Sequence, residues 1–98
     1  TAKMLVDAVK DVEDYNRVYG RHGDMKRQEK EIGIHAVRGG TIVGEHEVIF
    51  AGEDEVIEIK HTALSKKMFA KGSVTAAQWL NTVEEPRLYS MKDVLGIK

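Results

Sequence analysis

The 98-residue chain has no cysteine. That excludes a disulfide framework and thiolate chemistry, and it fits a reducing compartment. It also lacks a charge of one sign: fifteen Lys and Arg stand against sixteen Asp and Glu. A net charge of −1 provides no overall field to draw the chain to nucleic acid or to an anionic membrane. No apolar run approaches a membrane span, and the first residues carry no signal-peptide pattern. Repeats and low-complexity tracts are absent, and the one proline, Pro86, falls in a connection. These absences leave a soluble, cytoplasmic domain as the expectation.

What is present is one domain's worth of sequence. Hydrophobic residues make up 42%, enough for a modest core and too many for disorder. Leu5, Ala8, Val9 and Val12 recur at helical spacing, and Tyr15 extends the stripe. This predicts a leading amphipathic helix of about four turns, with Thr1 as its N-cap. Residues 16–30 lose periodicity and collect charge and glycine, which predicts a long loop. "EIGIHAVR" alternates up to Gly39-Gly40, a pair suited to a two-residue hairpin turn. "TIVGEHEVIFA" and "VIEIKHTAL" predict two further strands joined by a turn at Gly52–Glu55. Ser65 begins a helix that runs to Asn81. Ser90 and Asp93 have capping-box spacing for a short final helix, and Gly96 ends it.

Register follows from the turns. Gly33 faces His46, Phe50 faces Ile57, Val48 faces Ile59 and His46 faces His61. One sheet face then carries Val37, Ile42, Val48, Phe50, Ile57 and Ile59 with His35, His46 and His61. The other mixes Ile32, Ile34, Val43 and Ile49 with Glu45, Glu47, Glu58 and Lys60. A sheet apolar on both faces suggests helices on one side and another subunit on the other.

Candidate chemistry is sparse. Three histidines on one face have the donor type for a zinc site, against the plainer reading that they bond to neighbours. Glu45 and Glu47 share a strand face and have the groups for acid–base work. Arg21, Lys26, Arg27 and Lys30 suit phosphate, but Asp24, Glu29 and Glu31 interleave and no aromatic platform accompanies them. Small residues Gly72, Ser73, Ala76 and Ala77 let the long helix pack closely. Phe69 and Trp79 are large for so small a domain and suggest a partner surface. At Thr1, helix N–H groups and a hydroxyl suit a carboxylate, although a plain cap is the simpler role.

Several motifs fall in order along the chain: "YGR" at 19–21, "RGGTIVGEH" at 38–46, "FAGEDEVIEIKH" at 50–61, "FAKG" at 69–72 and "YSMKDVLG" at 89–96. Together they resemble the dihydrodipicolinate reductase (4-hydroxy-tetrahydrodipicolinate reductase) family over nearly the whole chain. The resemblance implies a C-terminal portion that lacks the family's dinucleotide-binding domain. Of the family's Pro-Ser-Gly-Thr-Ala motif only Thr1 and Ala2 are present. The proton-donating histidine and the lysine lie upstream, so no catalytic residue is assigned here.

The resemblance further implies hydride transfer from NADH or NADPH to a cyclic dicarboxylate of lysine and diaminopimelate biosynthesis. Thr1 would be half of a substrate carboxylate grip. Lys66, where arginine is common, and Phe69 would approach the cofactor. The expected fold is α+β, a short antiparallel meander of about three strands with flanking helices, its sheet building a homo-oligomer, a tetramer in the family. Residues 1–65 would form an incomplete substrate-binding and tetramerisation domain, and residues 66–98 a tail returning to the absent nucleotide domain. This stretch alone should be inactive and hold no cofactor. The alternative is a stand-alone module for oligomerisation or dicarboxylate binding.

Overall fold

The computed structural model describes residues 1–9 and 13–98. Its elements are α1 (Ala2–Ala8), β1 (Asn16–Tyr19), β2 (Glu31–Ile34), β3 (Gly44–Ala51), β4 (Val56–Ala63), α2 (Lys67–Leu80) and α3 (Met91–Leu95). They fall into two compact units, Thr1–Thr62 and Ala63–Lys98. The fold class is α+β, as the sequence patterns indicate.

In the first unit α1 is shorter than its apolar stripe suggests. Thr1 O accepts the Leu5 N–H at 3.0 Å, but β-branched Val9 is already extended, at φ −92° and ψ 98°. The Val12 end of the expected stripe lies outside the described residues. Tyr15 sits beyond the helix, half-buried, at the approach to β1. Leu5, Val6 and Val9 are also half-buried, so helix and strand share one thin apolar layer.

β1 replaces part of the expected loop. It runs parallel to β2, pairing Asn16 with Glu31 and Tyr19 with Ile34. Asn16 N–H donates to Lys30 O and Gly20 N–H to Ile34 O, both at 2.9 Å, which extends the ladder at each end. The connection needs left-handed backbone at Gly20 (φ 77°) and Gly23 (φ 71°), conformations that glycine adopts without a Cβ penalty. Arg21 pairs with Glu31, and Gln28 N–H donates to the same carboxylate at 2.9 Å.

The expected hairpin at Gly39-Gly40 is not formed. Among the described residues the strands make two separate two-stranded sheets, β1-β2 and β3-β4. A turn persists, with Ile42 N–H directed at Gly39 O at 3.4 Å and Gly40 at φ 51°. Gly39, Gly40 and Gly44 bring high backbone entropy and no side chains to pack, which weakens a ladder here.

The β3-β4 hairpin matches expectation. Gly52 N–H donates to Glu55 O at 2.8 Å, closing the turn. Counting from it sets Phe50 opposite Ile57, His46 opposite His61 and Glu45 opposite Thr62. The Thr62 hydroxyl donates to the Glu45 carboxylate at 3.3 Å, in agreement. Because β2 is not part of this sheet, the hairpin's faces divide more cleanly than the three-strand reading implies. Val48, Phe50, Ile57 and Ile59 share one face with the histidine pair. Glu45, Glu47, Glu58 and Lys60 dominate the other, with Ile49 and Val56 among them.

In the second unit the Ser65 hydroxyl accepts the Lys67 N–H at 3.2 Å at the start of α2. Gly72, Ala76, Trp79 and Val83 follow one side of the helix and are half-buried. α3 is short and has strong local ends. The Asp93 carboxylate accepts the Ser90 N–H at 2.7 Å and the Ser90 hydroxyl at 2.9 Å. Gly96 (φ 67°) donates to Asp93 O at 3.1 Å, and Ile97 N–H to Lys92 O at 2.9 Å. These two bonds are the Schellman pattern, which satisfies carbonyls that a helix end leaves free.

Candidate functional site

Thr1 stands exposed at the start of α1, and its hydroxyl makes no capping bond. The plain-cap role is therefore not what the side chain is doing. Two contacts tie α1 to β1. Arg17 pairs with Asp7 at 2.5 Å, and the Lys3 ammonium lies 5.5 Å from the centre of the Tyr19 ring. Asp7 holds the Arg17 guanidinium above its ordinary pKa. An open cleft of about 710 Å³ lies beside the helix, walled by Leu5, Val6 and Val9 of α1, by β2 and by β3. Charged side chains, among them Arg27, Glu29 and Glu31, line it beside the apolar ones, and Ala2, next to Thr1, lies at its wall.

The histidines do not assemble a metal centre. His46 and His61 face each other across the hairpin, but His35 follows the end of β2, in a segment outside the β3-β4 sheet. Among the described residues no three His, Cys, Asp or Glu side chains are grouped closely enough to hold a metal ion. The zinc reading is corrected on that ground: it required β2 and β3 to share a ladder.

Glu45 of the Glu45–Glu47 pair is engaged electrostatically by a cation on the neighbouring strand. Lys60 Nζ lies 3.0 Å from the Glu45 carboxylate. Lys60, and after it the Thr62 hydroxyl, hold Glu45 below its usual carboxylate pKa. Glu45 in turn raises Lys60, and Glu47 and Glu58 add to the effect. A carboxylate so held is a poor proton donor near neutral pH. The cluster is an exposed ionic lattice on one face of the hairpin.

In the second unit Lys66 occupies the residue before α2, and its carbonyl accepts the N–H groups of Phe69 (3.1 Å) and Ala70 (3.2 Å). Phe69 is 52% exposed, so its ring is available to a partner. Sequence reasoning missed the neighbouring corner of this unit. Tyr89 meets Trp79 edge-on with ring centres 5.1 Å apart, and its hydroxyl donates to Glu85 O at 2.5 Å. The Arg87 guanidinium lies 4.0 Å over the Tyr89 ring and pairs with Asp93 at 2.9 Å. The Ser90 N–H, Arg87 and the Ser90 hydroxyl, in that order, lower the Asp93 pKa to about 2. Asp93 was legible as a cap. Arg87 stands six residues earlier, outside helical spacing, and gave no signal.

Comparison with known proteins agrees with the motifs. Residues 1–95 match the family described as dihydrodipicolinate reductase, C-terminus. A 4-hydroxy-tetrahydrodipicolinate reductase of Clostridium botulinum is 52% identical over 99% of this chain, which covers 39% of that protein. The Clostridium novyi protein of the same name is 50% identical over the full chain, again covering 39% of the relative. The protein so named from Brachyspira hyodysenteriae is 50% identical over 98% of this chain, with 42% of the relative covered. The chain thus spans about two fifths of the length of these curated relatives. Matched from Thr1 to Leu95, it belongs to the dihydrodipicolinate reductase family and represents the C-terminal part of such a protein.

Proposed function

We propose that this chain is the substrate-binding and self-associating part of an NADH- or NADPH-dependent reductase that acts on 4-hydroxy-tetrahydrodipicolinate, in the cytoplasm, on the route to diaminopimelate and lysine. The observation that carries this reading is the family match over residues 1–95 at about half identity. In the reading, Thr1 and the first N–H groups of α1 grip one carboxylate of the cyclic dicarboxylate. The hydroxyl, which makes no capping bond, supports that role. Lys66 and Phe69 meet the cofactor, which the remainder of the protein would hold. Lysine supplies charge there without the planar fork of an arginine. Hydride transfer needs donor and acceptor in near-attack geometry, so this stretch by itself performs no chemistry.

The surface supports assembly. Only Ala63, at 2%, is buried among the described residues. β4 is exposed from Val56 to Thr62, with apolar side chains on both faces. In the proposed tetramer, copies of the sheet cover this surface.

The test is turnover by the full-length protein that carries this segment. With the cyclic dicarboxylate present, reduced nicotinamide should be consumed. Thr1→Val should raise KM for the dicarboxylate about tenfold, the loss of one charge-assisted hydrogen bond. A full-length protein without turnover would instead favour a stand-alone module for dicarboxylate binding or oligomerisation.

A further inference from the structure

Burial alone does little to hold α1 in place. None of its residues is buried, and Leu5, Val6 and the following Val9 are half-buried. Against that thin apolar layer stand two polar ties to β1, one from each end of the helix. Lys3, in the first turn, has its ammonium 5.5 Å from the centre of the Tyr19 ring. Asp7, in the last turn, accepts from the Arg17 guanidinium at 2.5 Å. Lys3 and Asp7 are four residues apart and share one helix face. Arg17 and Tyr19 are two apart and share one strand face. Two ties between one face of each element fix both the rotation of the helix and its position along the strand. A half-buried apolar layer is non-directional and fixes neither. The ties supply direction rather than strength, because exposed ion pairs add little stability.

We propose that Asp7 and Arg17 are positioning residues for the substrate: their ion pair, with Lys3 over Tyr19, sets where Thr1 presents its hydroxyl. The inference rests on the function proposed above, in which Thr1 takes one carboxylate of the cyclic dicarboxylate. Six residues separate Thr1 from Asp7, about 9 Å of helical rise. Asp7 therefore acts on the grip through the helix and not by touching the ligand. Its sign makes the point testable. Asp7 is an anion, so by direct electrostatics it opposes a dicarboxylate, whereas as a positioning residue it favours one.

The experiment is steady-state kinetics on full-length Asp7→Asn. KM for the dicarboxylate should rise about threefold, with kcat and KM for NADH or NADPH within about 1.5-fold. Arg17→Gln should give the same rise. The exchanged pair, Asp7→Arg with Arg17→Asp, should return KM toward the wild-type value. Asp7 and Arg17 are both exposed. Should their variants nevertheless fail to fold, Tyr19→Leu removes the second tie and should raise the same KM. A dicarboxylate KM unchanged or lowered in Asp7→Asn, or a nucleotide KM rising in step with it, would overturn the proposal. An unchanged dicarboxylate KM in Thr1→Val would instead defeat the grip itself, and this inference with it.

Discussion

The β3-β4 hairpin and the α2–α3 corner are built on opposite terms. The hairpin is a backbone ladder with side chains largely uncovered, decorated by ion pairs in water. The corner is a short helix joined to a longer one by an edge-on pair of rings, a guanidinium and a shared carboxylate. Charge differs as well. Residues 1–62 hold nine Lys and Arg against thirteen Asp and Glu, while residues 63–98 hold six against three. A ladder satisfies its backbone without burying much, so the hairpin leaves most of its side chains exposed. The corner obtains its energy from side chains already in contact, and its geometry depends on each of them.

Three measurements break or sharpen this contrast. The largest effect is expected from Trp79→Ala. Removing a half-buried indole and its edge-on contact with Tyr89 should cost about 2–3 kcal/mol. Amide exchange should accelerate throughout α2 and α3 and stay unchanged in β3 and β4. Exchange that rises equally in both regions would mean the two do not stand on separate terms.

Acid should act next, and on the corner first. Asp93 has its pKa lowered from 3.8 to about 2. A depressed carboxylate stabilises the fold above its ordinary value and loses that contribution as pH falls toward the lowered one. Protection of the α3 amides should therefore decline between about pH 4 and pH 2. Asp93→Asn should flatten this dependence. A flat profile in the wild type would show that the carboxylate does not hold the corner.

The smallest effect is expected from Lys60→Met. Exposed ion pairs contribute little to stability, so the midpoint of denaturation should not move measurably. The Glu45 carboxyl should titrate higher, back toward 4.5, when followed by carboxyl-carbon NMR. A clear loss of stability would show that the ionic lattice supports the hairpin after all.

What was legible in the sequence was local. Ser90 with Asp93, and Gly96, mark helix ends through bonds that span a few residues, and each forms as read, while Ser65 lies one residue before the N-cap Lys66 and still accepts the Lys67 N–H. The Gly52–Glu55 turn sets its own register, so His46 opposite His61 followed by counting. β1 was hidden because "NRVY" is short, sits among charges and gains its partner only from residues 31–34. Parallel pairing across an irregular connection leaves no periodic trace. Gly39-Gly40 misled in the other direction, since two glycines permit a tight turn without enforcing one. The zinc reading failed with that hairpin, because it borrowed the missing register. Of the candidate site, Thr1 was visible as a helix start. Arg87 was not, because its ring and carboxylate partners meet it only after the chain has turned.

β4 carries one consequence for handling the protein. Among the described residues β4 pairs on one edge only, with β3, and an open strand edge is a template for fibrils. Here Glu58 and Lys60 alternate with Ile57 and Ile59. A copy that adds edge-on in parallel register must set like charges side by side. Glu58 and Lys60 thus act as gatekeepers against parallel stacking of the strand on itself.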